Sequence, residues 1–197
     1  MHISIPWSFG LIALVLAAGS FLLSPRSAHA AALEGQKILI VYFSKTNNTR
    51  TVAQQIQTLT GGDILELKTV QQYPDDHNAT VDIAIRERRT DARPELATVF
   101  PENIEDYDII FVGYPVWEYT MPMAFFTFFD KYKFAGKTIV PFSTHLGSRL
   151  AGGPQDIVAL CPQATILEGL AIRGPNASSA GKDVQKWLQQ LGVTEKK

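Results

Sequence analysis

The sequence predicts an α/β fold built on an open, doubly wound parallel sheet. Three observations carry that reading. An unbroken apolar run, ILIVYF at residues 38–43, and a second strongly apolar segment, DIIFVGY at residues 108–114, have the pattern of central parallel strands covered on both faces. Strand-like and helix-like segments alternate along the remainder of the chain. Three of the strands also run directly into loops rich in hydroxyls, aromatics or glycine, as expected where such a sheet binds a ligand beyond its strand ends.

The elements follow in order. Residues 38–43 form the first strand, and residues 49–60 a helix stopped by Gly61-Gly62. Residues 63–67 are a short strand with Ile64, Leu65 and Leu67, and residues 75–89 a helix of mixed polarity. Pro94 and Pro101 bracket a short segment before the strand at 108–114. Residues 122–131 read as an aromatic-rich helix, in which Phe125, Phe126, Phe128 and Phe129 are expected to combine core packing with one exposed edge. A strand at 138–143, a short helix within 152–160 and a strand at 165–172 come next. Residues 179–191 close the chain as a helix, with Val184, Trp187, Leu188 and Leu191 at helical spacing. That makes five strands, and the right-handed crossover rule narrows their topology.

The first thirty residues stand apart. Residues 9–23 are nearly continuous apolar sequence, then Ser24-Pro25-Arg26-Ser27 breaks the run and Ala28-His29-Ala30 follows. That layout predicts a secretory signal peptide over residues 1–30, a mature domain over 31–197, and a periplasmic or extracellular destination. Residues 1–8 contain no Lys or Arg, so the alternative is an anchor that holds the protein to the membrane through residues 9–23. The run is short for a span of about 20 residues, which favours cleavage. Cleavage removes Arg26 and no acid, leaving 167 residues with 17 basic and 19 acidic side chains, net −2. This balance lacks the basic excess of nucleic-acid binders. Cys161 is the single cysteine, so no internal disulfide forms, and the Cys/His spacings of a zinc site are missing. It reads as a small buried hydrophobe. Arg86, Arg89 and Arg93, interleaved with Asp82, Glu87, Asp91 and Glu95, read as a solvated, salt-bridged surface.

Chemistry concentrates in the three loops. In the first, Ser44-Lys45-Thr46-Asn47-Asn48-Thr49, a strand delivers hydroxyls and free backbone N–H groups to a helix N-terminus. That geometry suits a phosphate; a Thr/Asn helix cap is the plainer alternative. The Gly-Lys-Ser/Thr tail of a P-loop is absent. The second loop, residues 114–122, carries Pro115, Val116, Trp117 and Tyr119, whose aromatics either stack on a flat ring or fill space over the next helix. The third, residues 144–149, offers Thr144, His145, Gly147 and Ser148 before Gly152-Gly153. There His145 is either a polar cap or a proton donor to a bound substrate. The three loops are expected to converge.

These motifs, taken in order, resemble the flavodoxin-like proteins that hold flavin mononucleotide (FMN), specifically a subgroup with Tyr-Pro-x-Trp and Thr-His-x-Gly-Ser loops. Tyr73-Pro74, Arg93-Pro94 and Tyr107-Asp108 sit where that subgroup has such pairs. The resemblance implies a three-layer sandwich with a five-stranded parallel sheet of order 2-1-3-4-5 and helices on both faces. It implies that Ser44, Thr46, Asn48 and Thr49 bind the phosphate. Pro115, Val116, Trp117 and Tyr119 would flank the ring, and Thr144, His145, Gly147 and Ser148 would close its other edge. Asn47 departs from the family's usual glycine, although Asn tolerates positive φ better than other side chains. The implied function is electron transfer through FMN, as a carrier facing a redox partner protein or as a small NAD(P)H- or quinone-type reductase with a dimer pocket and a small-molecule acceptor. The resemblance leaves no catalytic residue assigned and no metal implied. The alternative is a non-redox module that binds another phosphate ligand or a protein partner.

Overall fold

The computed structural model describes residues 35–193. The expected signal peptide or anchor lies outside the described residues. Among the described residues, no helix is long and apolar enough to cross a membrane.

Six parallel strands form one sheet: β1 (Ile38–Tyr42), β2 (Asp63–Glu66), β3 (Ile109–Pro115), β4 (Thr138–His145), β5 (Thr165–Ile166) and β6 (Leu170–Arg173). The order β2-β1-β3-β4-β5 is the expected one, with β6 also paired to β4. The register places Ile40 beside Ile64 and Phe111, and Val112 beside Pro141. Successive side chains point to opposite faces, so the apolar runs split into two cores. Leu39, Val41, Ile110, Val112 and Ile139 face one core; Ile40, Phe111, Val140 and Phe142 face the other. Gly113 leaves room for the Phe142 ring, because a Cβ there would lie 2.1 Å from Phe142 Cζ.

The second core is covered by α1 (Asn48–Thr60), through Val52, Ala53 and Ile56, and by the C-terminal helix Gly181–Leu191. Gly61 ends α1 at φ 71°. Asp76 caps α2 (His77–Arg89) by accepting the Ala79 N–H at 2.8 Å. The first core is covered by α3 (Ala124–Lys131) and α4 (Gly153–Leu160), the C-terminal helix thus being α5. An ion pair from Arg88 to Asp156 (3.4 Å) and the Arg88 guanidinium over Phe126 hold α2 to α4 and α3. Elsewhere on the basic segment, Arg93 pairs with Asp91 and Asp130. Cys161 is buried and unpaired, and burial pushes its thiol up to about 11.

Three sequence expectations need correction. The strand expected at 165–172 is broken into β5 and β6. Leu167 N–H reaches Ile139 O, so two residues on, Pro141 faces the same edge without an N–H to offer. The outer ladder is interrupted there, and Gly169 packs against the Pro141 carbonyl. Next, the strands run further than expected at the site: Pro115 belongs to β3, and Thr144 and His145 to β4. Finally, the α3 phenylalanines have no exposed edge. All four are buried: Phe100, Tyr132 and Phe134 close over Phe128 and Phe129, and the Arg88 and Arg93 guanidiniums cover Phe126.

Candidate functional site

Beyond the C-terminal ends of β1, β3 and β4 lies a cleft of about 610 Å³. Residues from all three loops line it: Lys45, Thr46 and Asn48; residues 115–118; and residues 144–148. The geometry of the first loop follows from Asn47, the residue before α1, which sits in the left-handed region at φ 65° and ψ −7°. This turn directs the chain into the helix without spending its amides. The first α1-type bond runs from Thr51 N–H to Asn47 O at 2.9 Å, and Arg50 N–H donates to Ser44 Oγ at 3.2 Å. Among the described residues, the backbone amides of residues 45–49 have no hydrogen-bond acceptor. Five free donors at a helix N-terminus make a concavity for an anion. Lys45 Nζ adds positive charge to the cleft; its partner at 3.3 Å, Asp75, is fully exposed and holds it weakly.

The loop is tied to the sheet by one buried contact. Thr49 Oγ1 and Thr144 Oγ1 lie 2.8 Å apart, with the residues 1% and 5% exposed. Hence Thr49 supports the floor of the loop rather than its lining.

The second loop is a two-residue hairpin. Trp117 and Thr120 exchange both backbone hydrogen bonds at 2.9 Å, and Glu118 (φ 45°) and Tyr119 (φ 62°) form its tip. Two consecutive left-handed residues define a type I′ turn, which normally takes Asn-Gly, so this tip stores strain of about 1–3 kcal/mol per residue. It is held there by its neighbours. Gly152 N–H donates to Tyr119 O at 2.8 Å, and the Thr120 hydroxyl donates to Asp156. Trp117 meets Phe43 (5.3 Å, 75°) and Tyr73 (4.9 Å, 76°) edge to face, which fixes its ring as one wall of the cleft. The Tyr73 hydroxyl in turn donates to Glu87 at 2.7 Å. Burial raises the Glu87 carboxyl, and the Tyr73 bond opposes that rise.

The third loop is pinned by its own strand ends. Ser143 donates to Arg149 O at 2.7 Å, and Tyr114 donates to Leu150 O at 2.9 Å. His145 lines the cleft with its Nδ1 buried and without a hydrogen-bond partner among the described residues. Burial, then the charges of Arg173 and Arg149, lower its pKa, so the ring is neutral at pH 7.

Of the residues singled out from sequence, Thr46, Asn48, Pro115, Val116, Trp117, Thr144, His145, Gly147 and Ser148 line the cleft. Ser44, Asn47 and Thr49 are not among the lining residues: Thr49 is buried, Ser44 half-buried, and Asn47 exposed at the start of α1. Tyr119 points elsewhere: it is 80% exposed at the hairpin tip and takes no part in the wall. Sequence reasoning missed an entire side. Asp75, His77, Thr80, Val81 and Ala84 at the start of α2 line the cleft, as does Gly174 from the turn after β6. No local pattern signalled it: the segment is mixed in polarity, and the burial of Thr80 and Ala84 is set by the packing of α2.

An open parallel sheet with helices on both faces and a ligand-sized cleft at its switch point defines the doubly wound α/β class. Within that class the chain belongs to the flavodoxin family, whose model, described as "Flavodoxin", matches residues 37–191. Similar solved structures include a candidate flavoprotein of Bacteroides eggerthii, 27% identical, with TM-score 0.68, covering 81% of this chain and 99% of that one. Another candidate flavoprotein, from Bacteroides uniformis, is 24% identical with TM-score 0.67, covering 79% and 99%. A flavoprotein of Lactobacillus acidophilus, solved in complex with FMN, is 20% identical with TM-score 0.61, covering 76% and 99%; these two share the fold. A comparison with curated proteins gives no match.

Proposed function

We propose that this protein binds FMN in the cleft and transfers electrons through it. The observation that carries the reading is that a loop whose amides at residues 45–49 are unspent lines one cleft, through Lys45, Thr46 and Asn48, together with an aromatic wall at Trp117. The residues fit the group. The amides and the Thr46 hydroxyl suit a phosphate dianion. Trp117 and Val116 offer apolar surface to a flat ring, and His145 lines the same cleft. The volume of about 610 Å³ lies within the range of roughly 300–1,000 Å³ usual for such ligands. The FMN-bound Lactobacillus acidophilus neighbour supports the same choice.

FMN, when bound, supplies one- and two-electron chemistry, and the protein sets its potential. The chain's part is to hold and to tune. The α1 N-terminus and Lys45 hold the phosphate, Trp117 orients the ring, and residues 145–148 bound its far edge. Glu118, lining the cleft, disfavours negative charge on the reduced ring and lowers its potential. His145, neutral at pH 7, adds no charge. The reading extends to export through residues 1–30, to a carrier or small reductase role with a redox partner protein or small-molecule acceptor, and to a homodimer as one arrangement.

FMN titration of the purified protein tests the reading. Flavin fluorescence should quench and saturate at one FMN per chain, through stacking on Trp117. Fluorescence that stays at its free value at micromolar protein refutes it and favours a module for another phosphate ligand.

A further inference from the structure

Position 47 poses a specific problem. Its backbone is left-handed, where the family usually has glycine, and asparagine brings a side chain with a strong preference of its own. An asparagine before a helix normally turns its Oδ1 onto the second or third amide of the first turn. Here that would spend the donors that the cleft needs. Asn47 makes no such cap. Its Oδ1 accepts from Arg50 Nη1 instead.

Arg50 is built to hold that bond. Its Nε donates to the Tyr42 hydroxyl at 3.3 Å and its Nη2 to Glu66 Oε1 at 2.5 Å. Its backbone N–H, one of the two amides an N-cap would normally take, is already given to Ser44 Oγ. One residue therefore ties the ends of β1 and β2 to the start of the loop and to its left-handed turn. The planar guanidinium reaches three separate acceptors in fixed directions, which a lysine ammonium on a flexible stem does not reproduce. The Tyr42 ring is buried and the Glu66 side chain is only 17% exposed, so the fork is anchored on the protein side.

We infer that Arg50 is a positioning and specificity-determining residue that keeps the anion loop open: it draws the Asn47 side chain away from α1, so the amides of residues 45–49 stay free for the phosphate of the flavin. The inference rests on the FMN reading. Without the fork, Asn47 is released from its left-handed backbone, takes the extended backbone of an ordinary N-cap and accepts from the Thr49 amide, closing the loop upon itself. The loss then falls on the phosphate-bearing flavin and not on riboflavin, which lacks the phosphate.

The test compares wild type, Arg50→Met, Asn47→Gly and the double variant, each titrated with FMN and with riboflavin by flavin fluorescence. Arg50→Met should weaken FMN about tenfold and change riboflavin less than twofold. In the Asn47→Gly background, which has no side chain to self-cap, adding Arg50→Met should weaken FMN by less than threefold. Arg50→Lys keeps the charge and a partner for Glu66 but loses the fork, and it should behave like Arg50→Met; it also serves if the methionine variant does not fold. An equal loss in both backgrounds overturns the inference, because Arg50 then acts as a charge rather than through Asn47. So does a matching loss of riboflavin affinity, which would mean general damage to the cleft. A wild type that binds riboflavin as well as FMN, or neither, overturns the FMN reading itself and the inference with it.

Discussion

Replacing Thr144 with valine isolates the hydroxyl of Thr49. The two oxygens are 2.8 Å apart, the residues are 1% and 5% exposed, and no other hydrogen bond from the Thr49 hydroxyl is present among the described residues. Valine keeps the shape of threonine and removes its partner atom. A buried hydroxyl left without a partner costs about 1–3 kcal/mol. With a urea slope of roughly 2 kcal/mol per M, the unfolding midpoint should fall by about 0.5–1.5 M. Removing both hydroxyls behaves differently, because two apolar groups of the same shape leave nothing unsatisfied. Thr49→Val with Thr144→Val should therefore lie within about 1 kcal/mol of wild type, and the double-mutant cycle should show a coupling of at least about 1 kcal/mol. The assay is urea unfolding of the flavin-free protein, followed by tryptophan fluorescence. A Thr144→Val midpoint within 0.2 M of wild type (on the order of 0.4 kcal/mol), or singles that simply add, refutes the argument that this pair fastens the loop to β4.

Two further outcomes follow from the same geometry. Gly113→Ala places a Cβ 2.1 Å from Phe142 Cζ between two central strands, and should lower stability by about 1–3 kcal/mol; Phe142→Leu in the same chain should recover part of it, measured by thermal unfolding. The His145 imidazole should titrate below its ordinary value of about 6.5, because burial, then Arg173 and Arg149, disfavour its charged form. A depressed folded pKa stabilises the fold above the unfolded value, and that stability is lost as pH falls below about 6.5. His145→Gln should remove this part of the acid sensitivity, and Arg173→Met should move the His145 pKa upward in an NMR titration. A pKa that stays put removes Arg173 from the causes and leaves burial and Arg149.

Much of the framework was legible because its signals are local. ILIVYF and DIIFVGY sit as central strands because their side chains from Leu39 to Phe43 and from Ile109 to Val112, with Tyr114, are buried on one face or the other. Gly61 stops α1 for the reason read from sequence, the left-handed φ that glycine adopts freely. The convergence of the three loops follows from the rule that parallel strands end on one side of the sheet. The break between β5 and β6 was harder to read. It depends on which edge Pro141 presents its missing N–H to, and register alone decides that.

Sequence by itself determined the order of strands and helices, the two-faced core and the three loops that meet. Each rests on periodicity or on backbone chemistry carried by the residues themselves. Tertiary structure alone decided which of those residues face the cleft. It sent Tyr119 outward on a strained hairpin, brought α2 in as a fourth wall, and set Thr49 under the loop. It also turned the Asn47 side chain from the helix end to Arg50, through acceptors at residues 42 and 66 that lie on two different strands. Such choices depend on distances between segments far apart in the chain, and no local pattern of side chains encodes them.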